Sequence, residues 1–201
     1  MEEPIVETIE PAAEAVETTE AGSPGWGRFF LDLLETLLLS AVLFLAINAL
    51  SARVRVDGFS MNPTLQDGEF VLVNRLAYRV GAPQRGDIIV FHFPIDPTSQ
   101  DLIKRVIGLP GDRITVSNGV VSVNGQPLIE PYIAAPPLYS GRWEVPAGEL
   151  FVMGDNRNDS SDSHSWGFLP MKEIIGKSVL IYWPFTEWKV IDHFDFTKVT
   201  Q

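Results

Sequence analysis

From Phe29 to Leu50 the chain runs for 22 residues through Leu, Ala, Val, Phe and Ile, with only Asp32 and Glu35 charged. As an α-helix this segment is about 33 Å long, enough to cross the hydrocarbon core of a bilayer. The two acids are spaced i, i+3, so they share one face. Placed in the first turns, they favour the positive end of the helix dipole, at headgroup level. Two other structures share such a run: a buried core helix and a cleavable signal peptide. A signal peptide has a basic start and an apolar core of about 7–15 residues. Here the start is acidic and the core longer, although Ala49-Leu50-Ser51 supplies a small-x-small run. The reading adopted is one transmembrane helix over residues 28–51.

Charge separates this helix from what surrounds it. Residues 1–27 hold seven glutamates and no Lys or Arg, which is most of the net charge of -11. With their Ala, Pro and Thr content and no apolar period, they read as a disordered acidic tail. The rest of the chain has no basic stripe, so no nucleic-acid partner is expected. With no cysteine, a disulfide framework, a thiolate nucleophile and a Cys-ligated metal are excluded. His92, His164 and His193 lack metal-ligand spacing, and neither metal nor cofactor is expected.

Beyond Ser51 the pattern becomes short β-like runs: Glu69–Asn74, Asp87–Phe93, Leu102–Ile107, Arg113–Val116, Val120–Val123, Leu150–Met153 and Val179–Trp183. Asn118-Gly119 and Asn124-Gly125 are hairpin turn signals. A helical turn is expected only at Pro170–Ile175. Residues 52–201 thus read as a mostly β, antiparallel, barrel-like domain, with the proline-rich stretch 125–148 as a loop-rich excursion.

Three blocks carry chemistry. In Gly58-Phe59-Ser60-Met61-Asn62-Pro63-Thr64-Leu65, a serine stands in a bend that Gly58 and Pro63 shape. A serine hydroxyl needs a base. The block is not a G-x-S-x-G elbow, and the chain contains no S-x-x-K. A Ser-His-Asp triad can be assembled on paper from Ser60, His92 or His164, and Asp155 or Asp162, but nothing specifies its geometry. Lys104, in Lys104-Arg105-Val106-Ile107-Gly108-Leu109-Pro110-Gly111-Asp112, shares a strand face with Leu102 and Val106. Desolvation on such a face lowers a lysine pKa toward the range of a general base. Parity alone does not settle this, because both faces of the run are partly apolar and Lys-Arg pairs are usually solvated. The third block is Gly154-Asp155-Asn156-Arg157-Asn158-Asp159-Ser160-Ser161-Asp162-Ser163. Its Asp, Asn and Ser side chains suit a self-bonded loop. Asp155, Asp159 and Asp162 lack the EF-hand arrangement.

In this order and at these separations, the three blocks and the apolar segment resemble the type I signal peptidases, membrane-tethered serine proteases that use a lysine as base. The resemblance implies Ser60 as nucleophile, Lys104 as general base and Ser160 as the serine that orients the lysine. It also implies Asp155, Asn156, Arg157 and Asp162 as a structural shell. The Ser60 backbone N–H would donate to the oxyanion. The family's second donor, a serine hydroxyl in some members, falls at Gly58 here and is left open. Substrates would be precursor proteins bearing signal peptides, cut after Ala-x-Ala-like sites while bound as an extended strand against Arg53–Phe59 and Asp101–Ile103. Phe59, Met61, Asp101, Leu102 and Ile103 are the expected pocket residues. The family places the N-terminus in the cytoplasm and the catalytic domain outside the cell membrane. Arg28 before the segment and Arg53 and Arg55 after it bias the charge rule the other way. Two rivals are a self-cleaving Ser/Lys protease of the SOS-repressor type, thought to share the β fold, and a non-catalytic, membrane-tethered, peptide-binding β domain.

Overall fold

The computed structural model describes residues 25–96, 98–194 and 196. Its described residues up to Leu43 and those from Phe44 onward form two compact units. Helix α1 (Trp26–Leu50) has no buried side chain and is long and apolar enough to cross a membrane. It starts at Trp26, two residues before the expected boundary, which corrects the placing of Asp32 and Glu35: neither lies in its first turn. The dipole argument for them therefore fails, since that effect fades within one turn. The tail read over residues 1–27 lies outside the described residues, except for Gly25 and the opening of α1.

After α1 come β1 (Ser51–Arg55), β2 (Phe70–Asn74), α2 (Ala77–Val80), β3 (Ile88–Phe91) and β4 (Leu102–Gly108). Then follow β5 (Arg113–Ser117), β6 (Val120–Val123), β7 (Gln126–Pro127), β8 (Gly141–Glu144), β9 (Glu149–Met153), α3 (Ser163–Trp166), β10 (Leu169–Pro170), β11 (Ile174–Trp183) and β12 (Lys189–Val190). The larger sheet has the order β1-β2-β11-β3-β4-β9-β10, with β12 added beside β11. Register shifts interrupt β11 and the β4–β9 pair, and such irregularities help an antiparallel sheet curl into a half-barrel. A second sheet runs β7-β6-β5-β8.

Asn118-Gly119 and Asn124-Gly125 all have positive φ, the conformation a tight hairpin turn demands, and they join β5 to β6 and β6 to β7. Strand β1 escapes the sequence reading because it continues directly from the apolar helix. Strand β8 escapes because it lies within residues 125–148. That stretch is more than an excursion, since β8 forms an edge of the second sheet by pairing with β5.

Strand β3 explains why the site is buried. Ile88-Ile89-Val90-Phe91 is apolar at every position, so both of its faces pack. Ile88 and Val90 join Met61, Leu65, Val71 and Ile103 in one core. Ile89 and Phe91 join Val106, Leu150 and Val152 in another. Each fully buried side chain of this size contributes roughly 1.5–3 kcal/mol. Strand β4 lies beside β3, with Lys104 opposite Ile89 and Arg105 opposite Ile88. Alternation therefore points two adjacent cations to opposite sides of a buried strand.

Candidate active site

Ser60 lies in the irregular turn linking β1 to β2. Gly58 enters that turn with φ of +88°, and its N–H donates to Asp67 Oδ1 at 2.7 Å. Met61 and Leu65 are buried and anchor the turn in the core, while Phe59 points outward. The 154–163 loop grips the same turn from the other side. The Asn156 N–H donates to the Ser60 carbonyl at 3.0 Å, and Asn156 Nδ2 donates to the Phe59 carbonyl at 3.2 Å. Gly154 permits this approach: a Cβ there would sit 2.4 Å from the Ser60 carbonyl oxygen and 2.3 Å from Ser160 Oγ. Any larger residue would push the loop off the turn.

Lys104 is buried, and its Nζ lies 2.7 Å from Ser60 Oγ and 3.1 Å from its neighbour's carbonyl, that of Ile103. Among the described residues no carboxylate comes within ion-pair distance of it. Burial pulls its pKa down to about 8, against the weaker upward pull of Asp162 and Asp155. A half-exposed hydroxyl thus faces an amine that is partly neutral near pH 8, close enough for the proton to pass between them.

The charged side chains Asp155, Arg157 and Asp162 of the loop surrounding this pair are all bonded. Asp155 accepts two bonds from Arg105, from Nε at 2.8 Å and Nη2 at 2.7 Å, and a third from the Thr64 hydroxyl. Arg157 donates to Glu130 at 2.8 and 2.7 Å and to the Gly154 carbonyl at 3.0 Å. The Tyr132 ring packs under Arg105, 3.9 Å from the guanidinium carbon. Asp162 caps α3, accepts the Gly154 N–H at 2.9 Å and lies 2.7 Å from His164 Nδ1. These bonds occupy the carboxylates of Asp155 and Asp162, the two loop acids weighed as triad members. His92 is bonded to Asp101 at 2.8 Å, and neither His92 nor His164 is hydrogen-bonded to Ser60.

Of the remaining expected residues, Ser160 lies in the site, but its buried hydroxyl has no partner among the described residues, and no bond joins it to Lys104. That differs from the expected lysine-orienting contact. The Gly58 N–H is held by Asp67, so it is not a free second donor, whereas the Ser60 N–H has no partner among the described residues. Met61 and Ile103, expected in pocket walls, are closed into the core. Phe59 and Asp101 are exposed, and Leu102 is half-buried. Strand β1 ends the sheet, and β4 pairs with β9 only from Arg105 onward, so the segments leading to both Ser60 and Lys104 keep an open edge.

Arg105, Thr64, Glu130 and Tyr132 belong to the site's frame, and the sequence reading did not single them out. For Arg105 the signal was present. It sits beside Lys104 in a run with apolar residues on both sides, which buries both cations rather than solvating both. Glu130 and Tyr132 lie in the 125–148 stretch and carry no local sign that they fold back onto the loop.

The chain is similar to known proteins. Residues 30–183 match the family described as signal peptidase, peptidase S26. A signal peptidase I from Leptolyngbya laminosa is 43% identical over 183 residues, covering 87% of each chain. A probable signal peptidase I-1 from Synechocystis is 42% identical over 181 residues, covering 86% of this chain and 92% of that one. A crystal structure of a signal peptidase I from Enterococcus faecalis is 33% identical with a TM-score of 0.44, covering 47% of this chain and 95% of that one.

Proposed function

The chain belongs to the signal peptidase I family of serine endopeptidases, which remove signal peptides, and from that premise we propose that it does so with a Ser60–Lys104 dyad while anchored in a membrane by α1. The observation that carries the dyad is the 2.7 Å contact between Ser60 Oγ and a buried Lys104 Nζ that has no acid partner among the described residues. An ammonium locked to a carboxylate holds its proton; this one gives it up near pH 8.

The steps follow from that contact. Neutral Lys104 takes the hydroxyl proton as Ser60 Oγ attacks the scissile carbonyl. The Ser60 N–H donates to the oxyanion, and removing such a donor typically costs about 100- to 1,000-fold in rate. The Lys104 ammonium then protonates the departing amine, and a water activated by the same lysine hydrolyses the ester. The precursor lies as an extended strand against the open edges of Arg53–Phe59 and Asp101–Ile103. Residues one and three before the scissile bond then face the same side, which favours small residues at both positions. The N-terminus lies in the cytoplasm and residues 52–201 act on its far side, where exported precursors present their cleavage sites.

Incubating the purified full chain in detergent with a precursor carrying Ala at both positions tests this. Cleavage at that site is expected, with a bulky residue tolerated at the middle position. Equal cleavage with Phe directly before the bond points to a broader protease. Self-cleavage without cleavage of the precursor points to a repressor-type peptidase, and binding without cleavage to a non-catalytic domain.

A further inference from the structure

A cavity of about 700 Å³ lies away from the dyad, between the end of α1, strand β1 and helix α2. Its lining includes Asn48, Arg53, Arg75, Arg79, His92 and Asp101. The three arginines have no acidic partner among the described residues. The one lining acid, Asp101, is already bonded to His92 at 2.8 Å. Three arginines without an ion-pair partner among the described residues thus line the cavity against one acid, and a guanidinium is a planar fork suited to the oxygens of a phosphate.

The chain fixes the level of these arginines. The Arg75 N–H donates to the carbonyl of Leu50, the last residue of α1, at 3.0 Å. Arg53 lies three residues past Leu50, about 10 Å along an extended strand. Arg79 stands in the single turn of α2, four residues after Arg75. If α1 spans a bilayer, the bond to Leu50 sets Arg75 in the headgroup layer, roughly 5–8 Å deep beyond the hydrocarbon, with Arg53 at or just past its outer edge. The helix dipole accounts for one cation at the end of α1 but not for three around one cavity. Phosphate is the anion that layer supplies.

We propose that this cavity binds the phosphodiester headgroup of an anionic glycerophospholipid. The proposal rests on α1 lying in the membrane, as set out above. Bound there, the lipid would seat β1, and with it one wall of the peptide-binding edge, against the membrane surface.

Native mass spectrometry of the full chain, released from mixed micelles of phosphatidylglycerol and phosphatidylcholine, tests the proposal. Preferential retention of phosphatidylglycerol is expected. Arg75→Gln with Arg79→Gln should weaken retention about thirtyfold, at roughly fivefold for each cation near a lipid surface. Arg113→Gln with Arg142→Gln, two exposed arginines on the second sheet, should leave it unchanged. Equal retention by the Arg75/Arg79 variant and the wild type, or equal retention of the two lipids, overturns the proposal. Displacement of the lipid by millimolar inorganic phosphate also overturns it, in favour of a site for the free anion. A chain that keeps the lipid selectively but cuts no precursor supports the cavity and sinks the peptidase reading instead, so the two failures are distinguishable.

Discussion

Lys104 and Arg105 are adjacent in one strand, both buried, and the fold treats them in opposite ways. Arg105 receives a carboxylate in a two-bond grip and an aromatic ring beneath it. Lys104 receives a serine hydroxyl and a backbone carbonyl. A buried ion pair fixes geometry: its partners hold each other at a set distance, and breaking it strands a charge. A buried cation without a counter-charge has a weakened hold on its proton. One side of β4 is therefore built for position and the other for reactivity. Asp155 serves both, by clamping Arg105 and by partly restraining the fall in the Lys104 pKa.

The largest effects should fall on the reactive side. Ser60→Ala and Lys104→Arg are each expected to lower kcat/KM by about four orders of magnitude or more, with melting temperatures near wild type. Arginine keeps the charge but does not deprotonate at working pH. Retention of more than about a tenth of wild-type activity by either variant sinks the dyad. On the positional side, Arg105→Met or Asp155→Leu should cost about 3–5 kcal/mol, because each leaves a buried charge alone. The double variant should be less destabilised than either single one, since it strands nothing. Chemical denaturation of the four proteins measures this, and simple additivity of the two losses would show that the pair is not coupled.

Lys104→Met sharpens the contrast, because its expected sign is the reverse. The folded pKa of about 8 lies below the free-lysine value, so burying the charged form opposes folding. A shift of this size corresponds to roughly 3 kcal/mol. That penalty is complete below about pH 8 and disappears as pH rises to about 10.4, where the unfolded lysine also deprotonates. The inactive variant should therefore be more stable than wild type at pH 7, with the two converging by about pH 10.5. Equal stability at pH 7 would mean that Lys104 carries no desolvation penalty. Wild-type kcat/KM should rise through an apparent pKa of about 8.

These two sides of β4 were not equally legible in the sequence. Ser60 and Lys104 sit in short motifs with local signals: a glycine-shaped bend and a lysine on an apolar face. The hairpins were legible too, because an Asn-Gly pair dictates its own turn. Residues that act through long-range contacts gave no such sign. Glu130 is 27 positions from Arg157, and Thr64 is 91 from Asp155. Only the curl of the sheet brings them together. For Met61 the sequence offered only its place next to Ser60, and the fold adds that the turn buries it as an anchor of the bend.

Ser160 tests where the boundary between the two sides falls, with the smallest expected effect. Its hydroxyl is buried near Gly154 and lacks a partner among the described residues. A buried hydroxyl without a bond carries a desolvation penalty of about 1–3 kcal/mol. Replacing it with a methyl group removes no bond, so Ser160→Ala should melt at or slightly above the wild-type temperature. If Ser160 belongs with Lys104, its bond forms when the peptide is bound, as catalytic hydrogen bonds often tighten only in the complex. The variant should then lose about tenfold in kcat with KM nearly unchanged, a difference of about 1.4 kcal/mol confined to the transition state. Ser160→Thr, which keeps the hydroxyl, should recover part of the rate. A melting temperature several degrees lower with kcat intact would place Ser160 with Arg105 and Asp155, as part of the frame. It would also leave Lys104 to be oriented by the Ile103 carbonyl and by the strand itself.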